Sequence, residues 1–214
     1  MKKLWIAGVF MVMTLNVSAQ TGYETAMNGK IAKIESHLSQ DEFTALSNDF
    51  KRIGEKEKTQ WLPYYYATFA QIQKGRMLMR ENKVSDLDAI AAEAQKSLDQ
   101  ASALSKDNAE ILILQKMIHS LKMMVDPMSR YMTEGMAANE ALGKAEALDP
   151  SNPRVTLLKA EDTYFTPAQF GGSKEKGLEL FKKAIEQYGS YKPANAQAPN
   201  WGKTEAEYFL AQKP

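Results

Sequence analysis

Apolar side chains recur along this chain at helical rather than strand-like steps. Phe43, Leu46, Phe50 and Ile53 fall at steps of 3, 4 and 3, which is one stripe of a helix over Asp41–Ile53. Thr21–Lys30 before it reads as a short polar approach, and the charge-rich run Lys51–Lys58 as a solvated helix end with Gly54 as the stop. Pro63 sits near the start of the next helix, where a missing N–H costs little, and that helix carries Tyr64, Tyr65, Tyr66 and Phe69 to about Arg80. Ser85 or Asp86 then caps an Ala-rich helix to Leu104, and Lys106-Asp107-Asn108 turns the chain. Ala109–Val125 is a strongly apolar helix stopped by Asp126-Pro127, because the residue before proline is pushed out of the helical region. Helices Met128–Leu148 and Arg154–Phe165 follow, with Asp149–Pro153 between them. Thr166–Ser173 is a loop into helix Lys174–Tyr188, and the loop Gly189–Asn200 leads to a last helix over about Trp201–Gln212. No stretch alternates with period two, so the expected fold is all-α with no significant sheet.

Within this order there is an echo. Ala94, Leu98, Ala101 and Leu104 recur 44 residues later as Ala138, Leu142, Ala145 and Leu148. A weaker third copy, Gly177, Phe181 and Ala184, follows after 39. Small residues seven apart share a helix face, and only a small side chain lets two helix backbones cross closely. Such a fixed-period echo marks stacked helical units that cannot bury their apolar faces alone.

The constellation Ala138, Leu142, Ala145 and Pro150 resembles the second helix of a tetratricopeptide repeat, in spacing as well as in residue type. The preceding unit has Lys106 where the proline would stand, and the following unit ends at Gly189. First helices match less well: Trp201 and Tyr208 keep the family's aromatic spacing, but Thr204 and Glu205 replace the Leu-Gly between them. The family's period is about 34 residues, so the longer spacings mean insertions. The resemblance implies stacked antiparallel helix pairs in an α-solenoid, a right-handed superhelix with a concave face that holds an extended peptide or a partner's helix. Tyr64–Phe69, Ala109–Leu121 and Arg154–Phe165 would line that face. The corresponding division is 20–57 as an N-terminal polar segment and capping helix, and 58–214 as the array, with units 58–108, 109–152 and 153–190 plus a C-terminal helix 201–212.

The first residues change the expected compartment. Met1-Lys2-Lys3, an apolar run Leu4–Leu15 and Val17-Ser18-Ala19 form a secretory signal peptide, residues 1–19, with cleavage expected after Ala19. The apolar run is shorter than the roughly 20 residues of a membrane span, and charges interrupt every later one. Removing Lys2 and Lys3 leaves 25 basic against 26 acidic residues, a net charge of −1. That even balance argues against nucleic acid and anionic membrane surfaces as partners. The chain has no cysteine, which excludes thiol chemistry, Cys-ligated metals and a lipid-modified cysteine at the cleavage point. A periplasmic or secreted protein is expected.

Candidate chemistry is sparse. Met128, Met132 and Met136 lie four apart, in a segment that also holds Met117, Met123 and Met124. Thioethers suit Cu(I), but methionine more often fills irregular gaps or forms adaptable surfaces, and no metal site is assigned. Tyr64, Tyr65 and Tyr66 point in three directions around a helix, so at least one is expected to be exposed or to line a groove. In Phe170-Gly171-Gly172-Ser173 no strand precedes the glycines and no Lys-Ser/Thr follows them, so Ser173 reads as a helix N-cap. His37 and His119 lack ligand neighbours at helical spacing, and Glu161-Asp162 face apart. No catalytic residues, cofactor or enzyme activity are expected. The function expected is a binding or scaffolding role toward a peptide or partner protein, with Tyr64, Tyr65, Tyr66, Phe69, His119 and Tyr164 lining the groove. The alternative is a helical accessory that binds a small solute or soft metal for transport.

Overall fold

The computed structural model describes residues 22–36 and 38–212, and the expected signal peptide and His37 lie outside them. The described residues are all-α, with no strand among them. Helix α1 covers 22–31. It is followed by α2 (Gln40–Glu57), α3 (Leu62–Arg80), α4 (Leu87–Leu104) and α5 (Ala109–Met123). Then come a short α6 (Pro127–Arg130), α7 (Met136–Leu148), α8 (Pro153–Phe165), α9 (Lys174–Ser190) and α10 (Lys203–Ala211). Sequential helices pack on one another, with α2 on α3, α3 on α4, α5 on α7 and α8 on α9.

Local chemistry sets most boundaries. Ser39 and Glu42 form a reciprocal cap on α2, with the Glu42 carboxylate accepting from the Ser39 N–H at 2.7 Å. Asn108, Asn152 and Ser173 each accept a hydrogen bond from the first turn of α5, α8 and α9. Asp86 precedes α4, yet its side chain makes no cap bond.

Several expectations need correction. The polar approach over 21–30 is helical from residue 22, because Tyr23 and Met27, four apart, face inward and are buried. Gly54 does not end α2, which continues to Glu57 and stops at Lys58 with φ 54°. Gly54 is there for space: a Cβ would lie 2.6 Å from a ring carbon of Tyr64. The segment expected as one helix from Met128 is broken by a π-turn, Tyr131–Gly135. Gly135 admits the Tyr131 ring and the Met123 sulfur against its backbone, where a Cβ would meet them at 2.9 and 3.0 Å. Trp201 stands outside α10, turned inward by Gly202 at φ 101°. Trp201 is therefore buried while Tyr208 is exposed, so the pair does not share one helix face.

The echoed positions are interior. Ala94, Leu98, Ala101, Ala138, Leu142, Ala145, Gly177, Phe181 and Ala184 are all buried, whereas the fourth positions, Leu104 and Leu148, are surface residues. Pro150 lies in the turn between α7 and α8.

Candidate functional site

The groove expected along α3, α5 and α8 is occupied by the chain itself. Tyr64, Tyr65, Tyr66 and Phe69 are buried, correcting the expectation that one of these tyrosines reaches a groove. The reason is that α3 has neighbours on every side: α2, α4, α5 and the connection from Tyr191 to Gly202. The Trp201 ring stacks on Phe69 at 4.3 Å, and its Nε1–H donates to the Tyr65 hydroxyl at 2.7 Å. Tyr65 in turn donates to Glu110 Oε2 at 2.8 Å. The Tyr66 hydroxyl donates to the Gln197 carbonyl at 2.9 Å, and Gln197 Nε2 to Asn28 at 2.8 Å.

At the centre of this contact Arg154, fully buried, forms an ion pair with Glu110, which also accepts from Asn152 Nδ2 at 2.6 Å. Arg154 Nη2 donates to the Tyr191 hydroxyl at 2.8 Å, and its guanidinium lies 4.8 Å from that ring. Burial opposes the Arg154 charge, but Glu110 outweighs it and raises the pKa above the ordinary arginine value. Burial, reinforced by Glu110, pushes the Tyr65 hydroxyl well above the usual tyrosine value. These groups are matched to one another except for Arg154 Nη1, which is buried without a hydrogen-bond partner, and they offer no open face.

The open site lies elsewhere, between α7, α8 and α9, as a cleft of about 430 Å³. Its walls are Asn139, Gly143 and Glu146 from α7 and Lys159, Asp162 and Thr163 from α8, with Leu142 and Leu180 behind them. Lys159 bridges to Glu146 at 2.6 Å, and Lys116 from α5 reaches Asp162 at 2.7 Å. Asn139, Gly143 and Glu146 continue the α7 face that begins at Met136, and Met132 stands four residues earlier in the π-turn. Those methionines are 53% and 69% exposed. Phe165 and Phe170, 59% and 60% exposed, lie at the end of α8 and in the turn after it. Phe165 packs edge-on against Tyr164 and Phe209 at 5.0 and 5.2 Å. Phe165 thus faces α10, on the other side of α8 from the cleft, and the exposed apolar side chains that adjoin the cleft are the methionines leading into its α7 wall.

His119 lies toward this side, one turn beyond Lys116, whereas Tyr164 points into α9 and α10. The cross-helix bonds Glu110–Arg154 and Lys116–Asp162 show α5 and α8 running side by side in one direction, which puts His119 level with Phe165 one turn on. His119 Nδ1 lies 2.6 Å from Glu134 and Nε2 lies 3.1 Å from Gln115 Nε2, so both ring nitrogens are engaged. Tyr164 is half-buried against Phe181 and Phe209. Among the described residues no group of three His, Cys, Asp or Glu side chains is placed to hold a metal. Sequence reasoning flagged the methionines and the 165–173 loop but missed Asn139, Glu146, Lys159, Asp162 and Thr163. Charged residues on helix faces carry no motif.

A second charged cluster lies on the far side of α8. Arg76 bridges Glu161 at 3.0 Å and Glu205 at 2.6 Å, tying α3, α8 and α10 together. One guanidinium cannot neutralise two buried carboxylates. Burial, with Glu205 adding to it against the opposing pull of Arg76, raises Glu161 to about 7.

The site and fold describe an all-helical protein with an open cleft between α7, α8 and α9. No protein-family profile and no curated protein sequence matches the chain. A solved structure does: the HusA haemophore from Porphyromonas gingivalis superposes with a TM-score of 0.76 at 33% identity, covering 88% of this chain and 90% of that one. The chain belongs to the family of that haemophore. No helix among the described residues is long and apolar enough to cross a membrane.

Proposed function

We propose that this protein binds a haem-type tetrapyrrole at the α7–α8–α9 cleft, beside the exposed methionines of its α7 side, and acts as an exported carrier rather than an enzyme. The observation that carries the reading is the 33% identity to a haemophore over 88% of this chain, joined to exposed Met132 and Met136 on the segment that leads into the α7 wall. Exposed apolar side chains gathered at one place mark interaction sites, and thioethers adapt to the face of a broad rigid ring. This is the small-solute alternative of the sequence reading. A peptide along α3, α5 and α8 would have to displace Trp201 and the buried hydrogen bonds around it, which works against the scaffold reading. Tetratricopeptide-like stacking and the signal peptide belong to this proposal, the first as scaffold and the second as the route of export.

The test is a hemin titration of the mature chain followed by Soret absorbance, with Gly143→Trp as the variant. Nothing lies within 4 Å of a Cβ at Gly143, so the indole fills the cleft without displacing the core. Saturable binding by the natural chain, weakened at least about tenfold in a Gly143→Trp protein that melts normally, is expected. An unsaturable response, or equal binding by the variant, refutes the site.

A further inference from the structure

We infer that Met128, Met132 and Met136 form a site of oxidation by peroxides, and that their conversion to sulfoxides weakens the hold of the neighbouring cleft on its ligand. The site of oxidation stands on exposure and chemistry alone, while the effect on binding rests on the tetrapyrrole reading and deepens it. The methionines divide sharply by access. Met27 and Met117 are 0% and 4% exposed, and Met77, Met79, Met123 and Met124 are half-buried. Met128, Met132 and Met136 are 79%, 69% and 53% exposed, and they follow one another four residues apart through α6, the π-turn and the start of α7. Thioether oxidation follows access, so these three meet an oxidant from solvent before any other sulfur among the described residues.

The reaction needs no group of the protein beyond the sulfur. Its lone pair attacks the hydroxyl oxygen of a peroxide, and an S–O bond forms as the O–O bond breaks. The sulfur gives up two electrons, and the proton on the transferred oxygen passes to the departing oxygen, which leaves as water or an alcohol. The segment bears this change without coming loose, because other residues anchor it. Arg130 pairs with Asp88 of α4 at 2.7 Å, Glu134 holds His119 of α5 at 2.6 Å, and Gly135 lets its backbone close on half-buried Met123. None of the three exposed methionines belongs to the core. What changes is the surface that leads into the α7 wall of the cleft. Thioethers that adapt to the face of an apolar ring become polar groups that must lose water before the ring can settle on them. Leucine at each position would give a similar apolar contact and be inert to peroxide, so methionine brings a sensitivity that contact alone does not require.

The experiment treats the mature chain with dilute hydrogen peroxide before any hemin is added, removes the peroxide, maps the oxygen gained at each methionine by peptide mass spectrometry, and then titrates with hemin. A variant carrying Met128→Leu, Met132→Leu and Met136→Leu is taken through the same steps. Met128, Met132 and Met136 should gain oxygen at least about tenfold faster than Met27 and Met117, with the melting temperature unchanged. The hemin affinity of the natural chain should then fall about fivefold or more. The leucine variant should bind hemin like the untreated natural chain and keep that affinity through the treatment. Oxidation spread evenly over buried and exposed methionines overturns the site. Unchanged hemin affinity in a chain oxidised at these three positions, or an equal loss in the leucine variant, overturns the effect on binding. A chain that binds no hemin before treatment overturns the tetrapyrrole reading and that effect with it, while the peptide map still decides the site of oxidation.

Discussion

Two glycine-to-alanine substitutions should move stability in opposite directions. Gly177 lies in α9 where it crosses α8, and a Cβ there would sit 2.6 Å from Tyr164 Cβ and 2.9 Å from its Cα. Backbone cannot give way as a side-chain tip can, so the helices must separate, at an overpacking cost of about 1–3 kcal/mol. Alanine's better helix propensity returns about 0.5–1 kcal/mol, leaving Gly177→Ala a net loss of roughly 1–2 kcal/mol. Gly143 lies in α7 with open space around its Cβ position, so Gly143→Ala keeps the propensity gain and loses nothing. For a domain of this size a kilocalorie moves Tm by about 2–4 °C. Thermal melts followed by circular dichroism should therefore show Gly177→Ala down by roughly 2–8 °C and Gly143→Ala up by roughly 1–4 °C. A Gly177→Ala protein as stable as the natural chain would refute the close-crossing explanation of the echoed small residues.

Three further outcomes follow from the buried groups. Arg154→Ala strands the Glu110 carboxylate in the interior and should cost about 3–5 kcal/mol in urea unfolding; a loss below about 1 kcal/mol would contradict the ion-pair account. Trp201→Ala removes the ring stacked on Phe69 and should cost about 3–5 kcal/mol, and a variant that melts with the natural chain would show that the 191–202 connection is not part of the core. Glu161 has a folded pKa raised above its ordinary value of 4.5 to about 7. Its favourable contribution is complete below about pH 4.5 and is lost as pH rises through 7, so the protein should lose up to about 3 kcal/mol from this group between pH 5 and pH 8. Glu161→Gln should flatten that slope, and parallel pH profiles for the two proteins would exclude the Arg76–Glu161–Glu205 cluster as its source.

Helix order was legible because it depends on local signals: the stripe Phe43-Leu46-Phe50, Pro63, the Lys106-Asp107-Asn108 turn, the cap Ser173 and the Asp126-Pro127 break all act within a turn or two. The burial of Ala94, Ala138 and Ala184 followed from size and spacing alone. What the sequence concealed depends on partners far along the chain. Nothing near Tyr65 announces that Trp201, 136 residues away, donates to its hydroxyl. Nor does anything near Arg154 mark it as the buried partner of Glu110. The cleft was hidden for a different reason. It is a gap where α7 and α8 fail to close on each other, and a gap is a property of how helices diverge rather than of any residue's type. The one trace it left is in the neighbouring methionines, Met132 and Met136, that no core position required.

Three segments between the long helices decide which surfaces are open and which are filled. One lies at Pro127–Gly135, where α6 and the π-turn precede α7 and lead into exposed Met132 and Met136. A second is the loop after Phe165, which carries exposed Phe170. The third, from Tyr191 to Gly202, folds back onto α3 and buries it. On the proposed haem-type reading, a change in the first segment should therefore alter ligand binding without altering the fold, whereas a change in the third should do the reverse. Met132→Lys with Met136→Lys set against Trp201→Ala, each measured by hemin titration and by thermal melting, separates the two roles. Loss of melting temperature in the methionine variant with hemin binding retained would refute this division of labour.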